Sequence, residues 1–425
     1  MAVELTKEEY KMDRHIKFNC NPVLGSEIYF ADVEARVFGD TLYLYGTSDG
    51  VIRIVSTKDM KTFTDHGVVV SPQDVKWKAA NEIWAPDCVY RDGVYYLYYS
   101  LPTGECGVST SKNPEGPFEN SVKIEGVNGI DPAVLIDDDG EAYIYFGQLD
   151  NVSVAKLSDD MVSIDVSSIS HPLNVKEFGY HEGISIRKID GKYFLVYTDT
   201  HRHGNMPVCQ GYAVSEYPTH GFTYKGILID NFGCDNGTWN NHGCIECVDG
   251  KWCIFYHCST HYSSEKRHLF VEELKTDCNG DFLEAEMTTS GIYGKISDKS
   301  VIPAYIACML SGNVRKSEEK NTEYKMSLTS IVEGDTAIYK YVDFDGADTF
   351  RVKTKSDVPG KIELYIDGKY HGCVFIEESE EYKTFSCKIP PVFGRHSVML
   401  RFFGKHEWMT VHKMKNMSFL EFSFR

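Results

Sequence analysis

Residues 92–100 read DGVYYLYYS, a two-residue turn signal followed by seven residues of almost wholly aromatic and aliphatic character. Asp-Gly supplies the left-handed conformations that a tight hairpin needs, and a Tyr-rich run of this length is a strand former. The pairing recurs four more times: Gly39-Asp40 before LYLYGT, Asp139-Gly140 before AYIYFG, Asp190-Gly191 before KYFLVYT and Asp249-Gly250 before WCIFYH. The five runs centre on Leu44, Leu97, Ile144, Leu195 and Ile254, about 50 residues apart, a spacing suited to four-stranded sheets repeated around an axis. Short polar turns ending in an aromatic plug, such as Ser56-Thr57-Lys58-Asp59 before Phe63, mark the ends of the units.

Beyond Gly291 the pattern stops, and from about Tyr324 a different set of short strands begins: AIYKYVDF, TFRVKTK, KIELYID, YKTFSCKI, HSVMLRFF and MSFLEFSF. No long stretch keeps a helical period of apolar residues. The sequence therefore predicts an all-β chain, with a five-bladed β-propeller over residues 1–295 and a β-sandwich of jelly-roll type over 296–425.

A length of 425 residues with 42% hydrophobic content suits two cores better than one. The formal charge is −18, from 44 Lys plus Arg against 62 Asp plus Glu, which repels nucleic acid and acidic membrane faces and favours a neutral ligand. The first residues carry mixed charge rather than an apolar leader core, and no segment approaches the roughly 20 apolar residues of a membrane span. Thirteen irregularly spaced cysteines read as free thiols of a reducing compartment, so a cytoplasmic location is expected. Cys244-Ile245-Glu246-Cys247 lacks the second pair a structural zinc site needs, and the run Glu377-Glu378-Ser379-Glu380-Glu381 reads as a solvated hairpin tip. Phosphate-cradling glycine loops and the G-x-S-x-G of serine hydrolases do not occur.

Four of the five units place an ionisable residue shortly before the turn: Asp32, Asp131 and Glu182 each eight residues ahead of an Asp, and His242 seven ahead of Asp249. In a propeller the equivalent ends of the innermost strands converge on the axis, so these side chains should face one another in a central funnel. Apolar neighbours such as Tyr29-Phe30 and Gly129-Ile130 place the carboxyls in a partly desolvated setting, where they push one another's proton affinities apart.

The set ADVEARVFGDTLYLYGT, IWAPDCVYRDGVYYLYYS, IDPAVLIDDDGEAYIYFG, HEGISIRKIDGKYFLVYT and NNHGCIECVDGKWCIFYH resembles glycoside hydrolase family 43 over roughly residues 20–295. The resemblance implies an inverting enzyme in which Asp32 is the base, Glu182 the acid and Asp131 the residue that tunes and orients it. It further implies that His242 reaches a central calcium or similar hard ion, that Trp84 walls the sugar pocket and that Arg267 contacts substrate hydroxyls. Val33 stands where the family often has proline, and Gly243 where a second histidine is frequent. Residues 303–425 resemble a family 6 carbohydrate-binding module, but Ile306-Ala307-Cys308-Met309 occupies the place of its usual acidic pair, with Tyr370 and Trp408 as candidate sugar-stacking rings.

The expected function is exo-acting release of terminal pentoses, as an α-L-arabinofuranosidase, a β-xylosidase or both, from arabinoxylan-derived oligosaccharides. A non-catalytic carbohydrate-binding propeller and a galactan or fructan hydrolase on the same scaffold are the alternatives. The fructan-type Asn-Asp-Pro signature is missing.

Overall fold

A computed structural model describes residues 14–17, 20–404 and 417–425, so Trp408 lies outside the described residues. Five antiparallel sheets follow the five repeats. The first strands of the blades, Ala31–Phe38, Trp84–Arg91, Ala133–Ile136, Tyr180–Ile189 and Gly243–Val248, each touch the first strand of the next, and the last returns to the first. They are the inner wall of a closed five-bladed propeller. Blade one carries Arg14–Lys17 outside its fourth strand Thr62–Val70, and blade five has three strands among the described residues.

The aromatic repeat explains how the blades adhere. Each interface between neighbouring blades has its own apolar cluster, fed by the second strands: Leu44 against Phe255, Tyr45 against Leu97, Tyr98 against Ile144, Tyr145 against Leu195, and Val196 against Ile254. Fully burying side chains of this size is worth roughly 1.5–3 kcal/mol each. The tyrosine hydroxyls are not left dry. Tyr45, Tyr98 and Tyr145 donate to the carbonyls of Pro114, Met161 and Pro218, each in the outer turns of the following blade.

The ring is sealed by the N-terminal segment, where Val23 and Phe30 donate backbone N–H bonds to Leu269 and Arg267 of blade five. Asn21, fully buried, bonds Glu272 and the carbonyls of Val271 and Thr288. Burial pushes the Glu272 carboxyl up to about 8, against the hydrogen bonds it accepts from Thr288 and Tyr256.

The second domain is a β-sandwich around one apolar core that includes Phe350, Leu364, Leu400, Phe422 and Phe424. The sequence predicts AIYKYVDF and TFRVKTK, and likewise YKTFSCKI and HSVMLRFF, as separate strands. Instead, Thr336–Ser356 and Ser379–Gly404 are each continuous, and register shifts around Asp345, Ala347 and Thr349 bend the pair there. Turn residues that would end a short strand are absorbed by bulges when both neighbours carry on pairing.

Candidate active site

The inner strands of blades one to four begin in the same unusual way. Asp32, Ala85, Asp131 and Gly183 all have left-handed backbones, with φ of 49°, 47°, 57° and 71°. Non-glycine residues rarely occupy that region, and when they do the surrounding structure must hold them there. Here the hold is a collar of bonds between blades. The N–H of Ala85 donates to Thr47 Oγ1 of blade one, that of Asp131 to Ser100 Oγ of blade two, and that of Asp32 to His257 Nδ1 of blade five. Thr47, Ser100 and His257 are each the third residue after the centre of their aromatic strand. The equivalent residue in blade three is Gly147, which offers no side chain, and the Gly183 N–H donates instead to Asp131 Oδ2 at 2.9 Å.

The sequence spacing treats Glu182 as the equivalent of Asp32 and Asp131, but the structure puts Gly183 at that position and Glu182 one residue earlier. Gly183 is required: a Cβ there would lie 2.6 Å from Thr198 Oγ1 and 3.0 Å from His242 Cγ.

Asp32, Asp131, Glu182 and His242 do converge, and each is only 5–6% exposed. His242 Nδ1 lies 3.5 Å from Asp32 Oδ1 and 3.9 Å from Asp131 Oδ2. Burial lowers the proton affinity of His242, but the Asp32 contact and the charges of Asp131, Asp32 and Glu182 outweigh it and push the imidazole up to about 9. Burial, with the charges of Glu182 and Asp32, pushes Asp131 up to about 7 against the pull of His242 and the Gly183 N–H.

Asp32 has the opposite character. Burial opposes its charge, yet the Arg267 guanidinium, followed by His242, holds its carboxyl well below the usual carboxylate range. Arg267 Nη1 and Nη2 reach Asp32 Oδ1 and Oδ2 at 2.6 and 3.2 Å, the bidentate pairing that planar guanidinium favours. Arg267 therefore sits on Asp32 rather than standing free, though its Nε is buried without a protein partner. Trp84 is half-buried at the start of blade two's inner strand, with Nε1 donating to Glu82 Oε2 at 2.8 Å.

Three residues that the sequence did not single out hold the two carboxyls: His257 and Asn240 link Asp32 to Glu182, and Gln148 adds a second bond to Glu182. His257 accepts the Asp32 N–H on Nδ1, so its Nε2 is the protonated nitrogen, and it donates to Asn240 Oδ1 at 2.9 Å. With Asn240 Oδ1 an acceptor, its Nδ2 is the donor to Glu182 Oε1 at 2.9 Å. Gln148 Nε2 donates to the other oxygen, Oε2, at 2.8 Å. Both carboxyl oxygens are thus oriented while lone pairs remain for a proton. Burial and the nearby Arg267 charge keep His257 neutral, which this directional chain requires. A usable signal was present: Asn240 lies two residues before His242, and His257 stands where Thr47 and Ser100 stand in their blades.

Below this layer the inner strands carry a second, fully ionic one. Arg36 pairs with Asp87 at 2.7 Å, and Arg187 with Glu34 at 2.6 Å and Glu246 at 3.0 Å. Buried pairs of this kind contribute little net stability but fix orientation when complete. Cys244 belongs to the apolar seam between blades five and one, and its Sγ accepts the Ala35 N–H.

For a metal, the donors around His242 are one imidazole and two carboxylates, an oxygen-rich setting that suits a hard cation completed by water. Among the described residues, three donors drawn within 4.8 Å of one another occur elsewhere, at His203, Cys209 and Asp230. There His203 Nε2 is already bonded to Asp230 at 2.7 Å.

Two carboxyl groups on separate blades, facing one funnel and held by different partners, define a glycosidase site. Residues 20–282 match the model of Glycosyl hydrolases family 43, and residues 309–421 match that of Carbohydrate binding module (family 6). The chain belongs to glycosyl hydrolase family 43. It is 25% identical to a xylosidase/arabinosidase of Thermoclostridium stercorarium, covering 90% of this chain and 96% of that one. A family 43 β-xylosidase/α-arabinofuranosidase from a compost microbial metagenome, solved with xylotriose in a calcium-free form, superposes with a TM-score of 0.56 at 27% identity. That match covers 65% of this chain and 99% of the other. An arabinoxylan arabinofuranohydrolase from Bacillus subtilis, solved with cellotetraose, shares the fold across 95% of this chain and 97% of its own, with TM-score 0.55 and 23% identity.

Proposed function

We propose that the protein is an exo-acting, inverting glycosidase that removes terminal α-L-arabinofuranose, β-xylose or both from arabinoxylan-derived oligosaccharides. The observation that carries this reading is the convergence of Asp32, Asp131 and Glu182 from blades one, three and four, with opposite electrostatic treatment of the first two. Asp32, kept ionised by Arg267, accepts a proton from the attacking water. Glu182, oriented by Asn240 and Gln148, protonates the leaving oxygen. Inversion requires these two carboxyls on opposite sides of the sugar ring, roughly 6.5–9.5 Å apart. Asp131 receives the Gly183 N–H immediately after Glu182 and so positions the acid through the backbone. The named activities of the Thermoclostridium and compost relatives support the pentose assignment.

His242 is the residue that would hold a calcium ion at the axis, where the ion would supply fixed positive charge beside Asp32 and Asp131. The thirteen free cysteines, most of them buried, support a cytoplasmic setting in which imported neutral oligosaccharides are the substrates. Proton NMR of the first sugar released, read before mutarotation, tests the stereochemistry: the product anomer should be inverted. Glu182→Ala should lose about 10²–10⁴-fold on oligosaccharides and far less on aryl glycosides, whose leaving groups need little protonation. Equal activity of wild type and Glu182→Ala on oligosaccharides refutes the assignment.

A further inference from the structure

Beside the carboxyls runs the loop between blade four's outer strand, Thr223–Asp230, and the inner strand of blade five, Gly243–Val248. This loop carries Asn240, which holds Glu182, and immediately before it Trp239. Trp239 is 50% exposed, an unusual position for the largest apolar side chain. Its ring meets His181 edge to face, with centroids 5.9 Å apart and planes at 80°. His181 in turn has its Nε2 3.9 Å from Glu182 Oε2. Trp239 is therefore tied on both sides to the acid, through Asn240 along the chain and through His181 across space.

The loop is anchored at its base. Asp235 Oδ1 accepts the N–H groups of Gly237 and Tyr262, and its Oδ2 accepts that of Lys316 in the second domain. Asn236 Nδ2 donates to the Val314 carbonyl at 3.1 Å. An exposed indole on a tethered loop costs little further entropy when a ligand covers it.

We propose that Trp239 is the stacking platform for the sugar on the leaving side of the scissile bond, a neutral pentose ring of the oligosaccharide backbone. This rests on the assignment of Glu182 as the acid. The acid protonates the glycosidic oxygen, so the departing sugar lies on its side of the funnel, where the indole offers a flat apolar face to the ring C–H groups. His181, packed against the indole, limits how far it can turn. The platform determines which leaving groups are accepted and leaves the terminal sugar to the funnel itself.

The test compares wild type, Trp239→Ala and Trp239→Phe on xylotriose and an arabinosylated xylo-oligosaccharide against β-xylosyl and α-arabinofuranosyl fluorides, whose leaving group is too small to reach the loop. Trp239→Ala should lose about three- to tenfold in kcat/KM on the oligosaccharides, as expected for one lost ring stack, and a much smaller factor on the fluorides. Trp239→Phe should recover most of the loss. Calorimetry with the same oligosaccharides in a Glu182→Gln background should show a matching weakening for Trp239→Ala, whatever the catalytic outcome. Equal losses on both substrate types, or unchanged oligosaccharide binding and turnover, overturn the platform. Failure of wild type to hydrolyse the fluorides would instead overturn the glycosidase reading, and the binding arm would still decide on Trp239.

Discussion

Replacing Arg267 tests whether Asp32 owes its charge to one guanidinium. Asp32 is buried, and its two oxygens receive Arg267 at 2.6 and 3.2 Å; the next cation is His242, at 3.5 Å. Removing one partner of a buried ion pair costs about 3–5 kcal/mol because the other charge is left uncompensated. At about 1.4 kcal/mol per pH unit, that is enough to raise the Asp32 carboxyl by roughly 2–4 units if it responds by taking up a proton. In the wild type this group sits well below the usual carboxylate range, so it imposes no acid limb on kcat/KM at ordinary pH. In Arg267→Ala a new acid limb should enter the measurable range, with activity falling as pH drops through it. Stability has a matching signature. A depressed carboxyl contributes stability that is present above its unfolded value and lost as pH falls through its folded value, so the wild-type advantage should be full at pH 7 and should narrow only in strong acid. For a domain of this size, 3 kcal/mol corresponds to a Tm gap of roughly 6–12 °C. Arg267→Lys, which keeps charge but not the fork, should fall between the two. An Arg267→Ala protein with the wild-type pH profile and Tm would show that Arg267 is not what keeps Asp32 ionised.

Asp131→Asn should lower kcat by about 10²-fold while calorimetry shows oligosaccharide binding within a few-fold of wild type, because the residue positions the acid rather than holding sugar. Asp131 is raised to about 7 in the folded protein, so it drains stability as pH rises from its unfolded value to 7; the Asn variant should show a flatter Tm between pH 5 and 8. Gly183→Ala meets Thr198 and His242 in a left-handed backbone and should cost about 2–4 kcal/mol in denaturant melts, with activity falling alongside. Chelation with EGTA should lower Tm by about 5–10 °C, as expected for a cation present at 100 times its Kd, with calcium restoring it; an unmoved Tm removes calcium from the site.

The architecture was legible because it is written in local chemistry: Asp-Gly turns, Tyr-rich strands and a fixed spacing are properties of neighbours in the chain. Asp32, Asp131, Glu182 and His242 were legible for the same reason, since a repeat converts sequence position into spatial position. The one-residue offset of Glu182 was not, because it depends on Gly183 taking the left-handed place, and glycine at the start of a strand has several uses. Arg267 on Asp32, and Asn240 and Gln148 on Glu182, join residues 34 to 235 positions apart. Pairings at such separations leave no periodic trace in one sequence. In the second domain the fault was of another kind: Pro390-Pro391 is a strong turn signal, and only the pairing of both flanks with Thr336–Ser356 turns it into a bend.

The same logic gives the second domain a role that does not depend on its binding sugar. Ile306-Ala307-Cys308 is buried, and Cys308 joins the apolar seam between blades four and five alongside Phe270 and Met287. Leu310 donates its N–H to Gly233, and Lys316, 1% exposed, gives its own to Asp235. The last two contacts fall on one loop, the one that presents Trp239, Asn240 and His242 to the funnel. A side chain that must orient a carboxyl to within a few tenths of an ångström cannot hang from an untethered segment of a dozen residues. In this chain the sandwich shares that tether with Tyr262 and Asn231 of the propeller, so the placement of Glu182 is a property of both domains rather than of the propeller alone.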